Sequence, residues 1–370
     1  MTSSDAENRA PAPPEREPTP TVQSAVAREL RGVLGALSFK HISGIYVLGG
    51  LILLFGLWVP QTFLTTTTVR DIGSDQAVTA IITLGLLFPL AAGFFDFSVG
   101  ATVGTSAILS AWLIVNGGFS ATEAALAAIG VGLVIGMVNG ILIVFFRMDS
   151  FIATLGVSSV LTAFIMWRSG DQQIIGLTAG FEKIGTLQPA GIPIPVFYSL
   201  AFALVVWYVQ EHTPFGRYLY AIGGGREAAR LAGIRTNRLI FIALLISSLS
   251  AAFAGVVVTA KVGAGSPGIG PPYLLPVYAA AFLGATQLKN GRVNAWGTIV
   301  ALYLLATGVK GLQLTGASFW VTDLFNGIAL IVAVGLSGYQ RRHRMTGKTF
   351  GGLFGRATAV DGDGEAKPGA

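Results

Sequence analysis

The chain has 370 residues, 52% of them hydrophobic and only 11% charged, with a mean hydropathy of +0.67. A soluble domain carries about 25% charged residues, so this composition excludes a water-soluble globule and points to an integral membrane protein, whose continuous apolar runs suit helical spans and not the alternating strands of a β-barrel. The net charge of +6 reads as the Lys/Arg excess of cytoplasmic loops and not as a nucleic-acid footprint, while the absence of Cys and the wide spacing of His41, His212 and His343 argue against a disulfide framework and a metal site.

Residues 1–40 are polar, hold five prolines before residue 21 and lack the apolar core of a signal peptide, so they are expected to form a disordered cytoplasmic tail. Residues 41–340 form the expected transmembrane domain, and 341–370, opening with "RRHR", a second cytoplasmic tail. Ten apolar segments follow in order: 43–60, 76–95, 97–116, 122–146, 150–168, 191–210, 238–260, 273–287, 294–312 and 318–337. The eighth is short and follows "GPP", which leaves a full span and a re-entrant or broken one both open. The fold class is therefore an all-α polytopic bundle of about ten transmembrane helices. With both termini in the cytoplasm, every Lys and Arg except Arg70, Arg168, Lys183, Lys261 and Lys310 falls on the inner side, as the positive-inside rule demands.

Within the spans, Gly132, Gly136 and Gly140 recur every four residues, and Gly100 and Gly104 repeat the spacing. Such a bare helix face lets another helix approach closely. A weak internal echo relates "AAGFFDFSVGATVGT" to "AAAFLGATQLKNGRVNAWGT". Asp96 is the only charged residue between Asp75 and Glu123. A carboxylate among apolar spans needs a reason. Asp96 sits between two segments, with Ser98 and the following amides within capping reach, so it reads either as a helix cap or as part of a gate or solute path. Asp323, with Thr322 and Asn326 close on the same helix face, is the other intramembrane acid and is expected to face the bundle.

No energy-consuming or catalytic chemistry is visible, and no cofactor is called for. The one approach to a P-loop, "TGKT" at 346–349, has Arg342 where the first glycine belongs. The informative polar stretch is 213–238, "TPFGRYLYAIGGGREAARLAGIRTNR". Its "REAARLAGI" reads as a short helix started by Gly225 and ended by Gly233. Ala228, Leu231 and Ala232 fall on one face; Arg226 and Arg230 fall opposite. It is either a solvated loop or a docking helix for a soluble partner. The outer connector 169–190, with Asp171, Glu182 and Lys183, is polar enough to face water and serve as a second docking surface.

"GFFDFSVG" at 93–100, "GMVNGILIVFFRMDSFIATLG" at 136–156 and "YAIGGGREAARLAGI" at 220–234 together resemble the permease subunits of bacterial ATP-binding-cassette importers for monosaccharides, of the ribose, xylose and galactose type. The likeness covers about 41–338. It departs where Phe94 replaces glycine, Phe97 replaces leucine and Gly225 replaces asparagine. It implies a permease of the bacterial inner membrane, paired with a second copy or a paralogue. It also implies two cytoplasmic ATPase subunits and an extracytoplasmic solute-binding protein as partners, with a small polar solute as cargo. The family's coupling helix maps onto Gly225, Arg226, Glu227, Ala228, Ala229, Arg230, Leu231 and Gly233. A polyol, a nucleoside or a branched-chain amino acid remains an alternative cargo. An ion-coupled secondary transporter acting through Asp96 or Asp323 remains an alternative class.

Overall fold

The computed structural model describes residues 39–288, 291–318 and 320–335. Both expected tails lie essentially outside the described residues. Contacts divide the chain into Met1–Ile42 and Ser43–Ala370, and the architecture below is that of the described part of the second unit.

Each apolar segment contains a helix, in order α1 (Phe39–Trp58), α3 (Thr66–Ala91), α4 (Val99–Val115), α5 (Ala121–Val144), α6 (Ser150–Ser169), α8 (Ile194–His212), α11 (Thr236–Val262), α12 (Leu274–Thr286), α13 (Ala295–Leu314) and α14 (Trp320–Gly335). Between them lie short helices: α2 (Pro60–Phe63), α7 (Ala179–Thr186), α9 (Pro214–Gly224) and α10 (Arg226–Leu231). Among the described residues, six are long and apolar enough to cross a membrane: α3, α5, α6, α8, α11 and α13. The all-α membrane architecture therefore stands. Its sole departure among the described residues is an antiparallel pair of two-residue strands, Ile174–Ile175 with Ala264–Gly265. At 1.5 Å per residue, the 13 residues of α12 reach about 20 Å, short of the about 30 Å of hydrocarbon. A 3-10 turn, Pro271–Tyr273, precedes it.

The helix ends follow local chemistry. Ser120 and Glu123 form a reciprocal capping box on α5. The Asp149 side chain accepts from the Phe151 and Ile152 amides at the start of α6, and Asn294 caps α13 through the Gly297 amide. Helix α3 begins about ten residues before the apolar run, with Thr65 as its N-cap. It stops at Ala91, and Gly93 follows at φ 83°, a backbone conformation that favours glycine.

Burial orders the bundle. The apolar windows of α3 and α11 are 83% and 67% buried, against 22% for α6 and 28% for α8, so α3 and α11 form the axis and the others surround them. Leu84, Leu87, Ile143, Leu219, Ile240 and Leu244 pack one end of the core. Val78, Ile81, Ile82, Val103, Val257 and Tyr278 fill its middle. The connector 169–190 is no open loop: its α7 drives Phe181, fully buried, against Ile114, Ala124 and Val256. Gly185 abuts the backbone of Lys261.

The glycine spacing has a physical counterpart along α5. A side chain at Gly132, Gly136 or Gly140 would collide with Ala252, Leu245 or Phe241, all on α11. Gly100 differs from the expectation of an approaching helix, whereas Gly104 meets one in Ile165 of α6, whose Cδ1 would lie 2.9 Å from a Gly104 Cβ. Both face the Gly270 turn, whose carbonyl oxygen would lie 3.2 Å from a Gly100 Cβ.

Candidate functional site

The seven residues between α3 and α4 are not helical, and their backbone groups need partners inside the bundle. Three successive amides find hydroxyls. Phe95 N–H donates to Ser150 Oγ (3.2 Å), Asp96 N–H to Tyr278 OH (3.0 Å) and Phe97 N–H to Thr154 Oγ1 (3.0 Å). Asp96, fully buried, receives three donors in return. Its Oδ1 accepts from the Ser98 amide (3.1 Å) and from Ser98 Oγ (2.5 Å), and its Oδ2 accepts from Ser247 Oγ (2.8 Å). Asn139 Nδ2 donates to Ser98 Oγ at 2.8 Å. The carboxylate thus joins its own turn to α11 directly, and to α5 through Ser98.

The helix N-cap itself is Ser98, two residues beyond Asp96, and its side chain makes no cap hydrogen bond to the helix amides. Asp96 holds the residue that opens α4 instead of capping α4 from the N-cap position. Around it stands an aromatic cluster. Phe97 stacks on Tyr278 with centroids 4.7 Å apart and meets Phe151 edge-on at 5.0 Å. Phe95 contacts Phe97, Tyr278 and Phe282.

Two cavities flank this layer. One, of about 410 Å³, lies among α3, α11, α12, α13 and α14 and is lined by Asp75, Gln76, Thr79, Lys261, Tyr273 and Asn326, with apolar walls from Val258, Leu302 and Leu305. Asp75 pairs with Lys261, and Asp71 with Lys310 at 3.5 Å, tying α3 to α11 and to α13. The other, of about 600 Å³, is lined by Gly93, Phe95, Tyr220, Gly223, Phe282 and Arg292. On α3 the two linings, at Thr79 and Leu90, are about 16 Å apart along the axis. Every residue of α3 from Ala80 to Pro89 is buried.

The second cavity borders α9, which leads into α10. Gly223 lies so close to the Ala91 carbonyl that any side chain would collide. Tyr220 OH donates to the Val293 carbonyl at 2.7 Å. Burial, reinforced by the Glu211 charge, pushes that hydroxyl up to about 12, so it stays a donor. Helix α10 has Gly225 as its N-cap and Gly233 at φ 83° just past its end. Ala229 is its buried residue. Ala228, Leu231 and Ala232 are exposed, Leu231 at 84%. The two arginines do not share a role. Arg226 Nη2 donates to Asn237 Oδ1 at 3.2 Å and its guanidinium lies 5.6 Å from the Phe94 ring. Arg230 points outward and pairs with Glu227 at 2.9 Å.

Asp323 departs from expectation. It is exposed, while Thr322 and Asn326 line the first cavity. The structure thus brings Asp96 and Ser98 together with Asn139, Ser247 and Tyr278, and leaves Asp323 apart. Sequence reasoning did not single out Asn139, Ser247, Tyr278, Ser150 or Thr154. One of the three quoted motifs, that at 136–156, contains Asn139, Ser150 and Thr154, which was the available signal. The ion pair of Lys261 with Asp75 was also missed, because 186 residues separate the partners.

The model of a family described as branched-chain amino acid transport system / permease component matches residues 71–334. The D-allose transport system permease protein of Escherichia coli K12 is 29% identical over 301 residues, covering 81% of this chain and 92% of that protein. The ribose import permease protein of Bacillus subtilis 168 is 32% identical over 275 residues, covering 74% and 85%. The autoinducer 2 import system permease protein of Salmonella choleraesuis SC-B67 is 28% identical over 279 residues, covering 75% and 80%. Matched over most of its bilayer-length helices, the chain belongs to this family of transport-system permeases.

Proposed function

We propose that the chain is the membrane-spanning permease subunit of an ATP-binding-cassette importer for a small polar solute of monosaccharide size. It crosses the bacterial inner membrane about ten times with both termini in the cytoplasm. It works with a second permease copy or paralogue, cytoplasmic ATPase subunits and an extracytoplasmic binding protein. The observation that carries this reading is the meeting of three distant segments. The Asn139–Thr154 stretch and the Tyr220–Arg226 stretch each touch the Asp96 turn, beside a cavity lined in part by α9. A surface helix seated on that turn can pass a partner's movement to the spans.

Relatives named for D-allose, ribose and autoinducer 2 favour a sugar-like cargo. The family's description favours a second reading, a branched-chain amino acid. An ion-coupled mechanism leaves α10 without a purpose.

Leu231 is the apolar anchor offered to the ATPase, as helix-in-groove recognition requires. Since it is 84% exposed, Leu231→Asp is expected to change the permease's own stability by no more than about 0.5 kcal/mol. Co-purification of the ATPase and solute-stimulated ATP hydrolysis are expected to fall together. Normal transport with an intact ATPase complex would overturn the reading of α10 as the coupling helix.

A further inference from the structure

We infer that the cavity of about 410 Å³ among α3, α11, α12, α13 and α14 is a binding site for a neutral, polyhydroxylated ring, an assignment that rests on the importer reading above. Small-molecule pockets run to about 300–1,000 Å³, mostly apolar with a few convergent polar groups, and this cavity suits one small ring.

The lining sets the chemistry. Gln76 on α3 and Asn326 on α14 present carboxamides, and neither side chain makes a hydrogen bond among the described residues. Thr79, Tyr273 and Thr322 add hydroxyls. Carboxamides and hydroxyls both donate and accept, which is what a ring bearing several hydroxyls needs. Val258, Leu302 and Leu305 supply an apolar wall for the C–H face of such a ring.

Charge decides against the competing cargo. Asp75 and Lys261 are the charged residues of the lining, and they pair with each other. Asp323, one position from Thr322, is exposed and outside the lining. The cavity therefore offers no lone charge. An amino acid's ammonium and carboxylate would have to compete with a formed ion pair, whereas a sugar leaves it intact. The pair bridges α3 and α11 within the lining.

The chain has no Cys, which makes single-cysteine variants clean reporters. Val309→Cys and Ala306→Cys, on the same lining but outside the groups argued to bind the ring, are to be reacted in membrane vesicles with a membrane-impermeant methanethiosulfonate alone and with D-ribose, D-allose or L-leucine. Val262→Cys, also on the lining, replaces either variant that fails to reach the membrane. Both cysteines are expected to react. One of the sugars is expected to slow the reaction about threefold at about twice its Kd, from simple occupancy, and L-leucine to leave it unchanged. Unreactive cysteines, no protection by either sugar, or protection by L-leucine alone would overturn the assignment. Uptake of the same three radiolabelled solutes, with and without the chain, separates this failure from that of the importer reading. Chain-dependent sugar uptake with unprotected cysteines removes the site and keeps the importer. Protection without chain-dependent uptake keeps the site and removes the importer.

Discussion

Replacing Asp96 by Leu removes the acceptor of three buried hydrogen bonds, from the Ser98 amide, Ser98 Oγ and Ser247 Oγ. Stranding a buried donor costs about 1–3 kcal/mol, so three cost about 3–9 kcal/mol before relaxation. Relaxation is uneven. The Ser247 hydroxyl can turn back to a carbonyl one helical turn earlier, as Ser250 does onto Ile246 and Thr259 onto Gly255. The Ser98 amide has no such freedom, and Ser98 Oγ already accepts from Asn139. Asp96→Leu is therefore expected to destabilise the permease by about 2–6 kcal/mol, the cost of the two donors left without a partner. Asp96→Asn keeps an oxygen for the Ser98 amide and lets the Ser247 hydroxyl turn to accept from its NH₂, at a cost of about 1 kcal/mol. Thermal unfolding in detergent, followed by size-exclusion fluorescence, should rank wild type just above Asn and both well above Leu. A Leu variant as stable as wild type would refute the reasoning. An Asn variant that folds, assembles with its ATPase and yet transports nothing would assign a role to the charge itself.

Arg226→Ala removes the contacts to Phe94 and Asn237 at the surface, so stability should change by less than about 1 kcal/mol. The ratio of solute transported to ATP hydrolysed is expected to drop, and an unchanged ratio would remove this contact from the coupling route. Gly136→Leu drives a side chain into the Leu245 backbone, whose Cα would lie 2.9 Å from the new Cβ, and should cost about 1–3 kcal/mol or more and lower membrane yield. Gly130→Leu, with open space around it, should insert normally in the same expression trial. Exchanging the charges of Glu182 and Lys183 is expected to alter the ionic-strength dependence of binding-protein association measured by surface plasmon resonance. An unaltered dependence would show that α7 docks nothing.

Helix positions were legible because hydrocarbon imposes a length, and each apolar run of that length contains a helix. Their ends were less so. Thr66–Ser74 is helical but too polar to register as part of a span, and α7 is a short helix anchored by one fully buried residue, Phe181. Asp96 was legible as an anomaly of charge. Its partners were not, since Ser247 and Tyr278 look like ordinary members of apolar helices and lie 151 and 182 residues away. Asp323 was misjudged through helix phase. Thr322 and Asn326, four residues apart, share the cavity face, while Asp323 is turned about 100° from Thr322 and emerges on the surface.

The structural and functional readings of Asp96 cease to compete once its surroundings are known. A non-helical turn within a bundle is stable only if every amide is satisfied, and here the donors and acceptors come from α5, α6, α11 and α12. Such a turn cannot move alone, because shifting it breaks bonds to four helices at once. A displacement entering at the Phe94–Arg226 contact, or through the Gly223–Ala91 approach, must carry those helices with it or strand buried donors. The helices it would carry include α11 and α12, which border the first cavity, and Phe95 and Phe282 of the same aromatic cluster line the second. The hydrogen bonds that make Asp96 a structural tie are therefore also the means by which movement at α10 would reach both cavities.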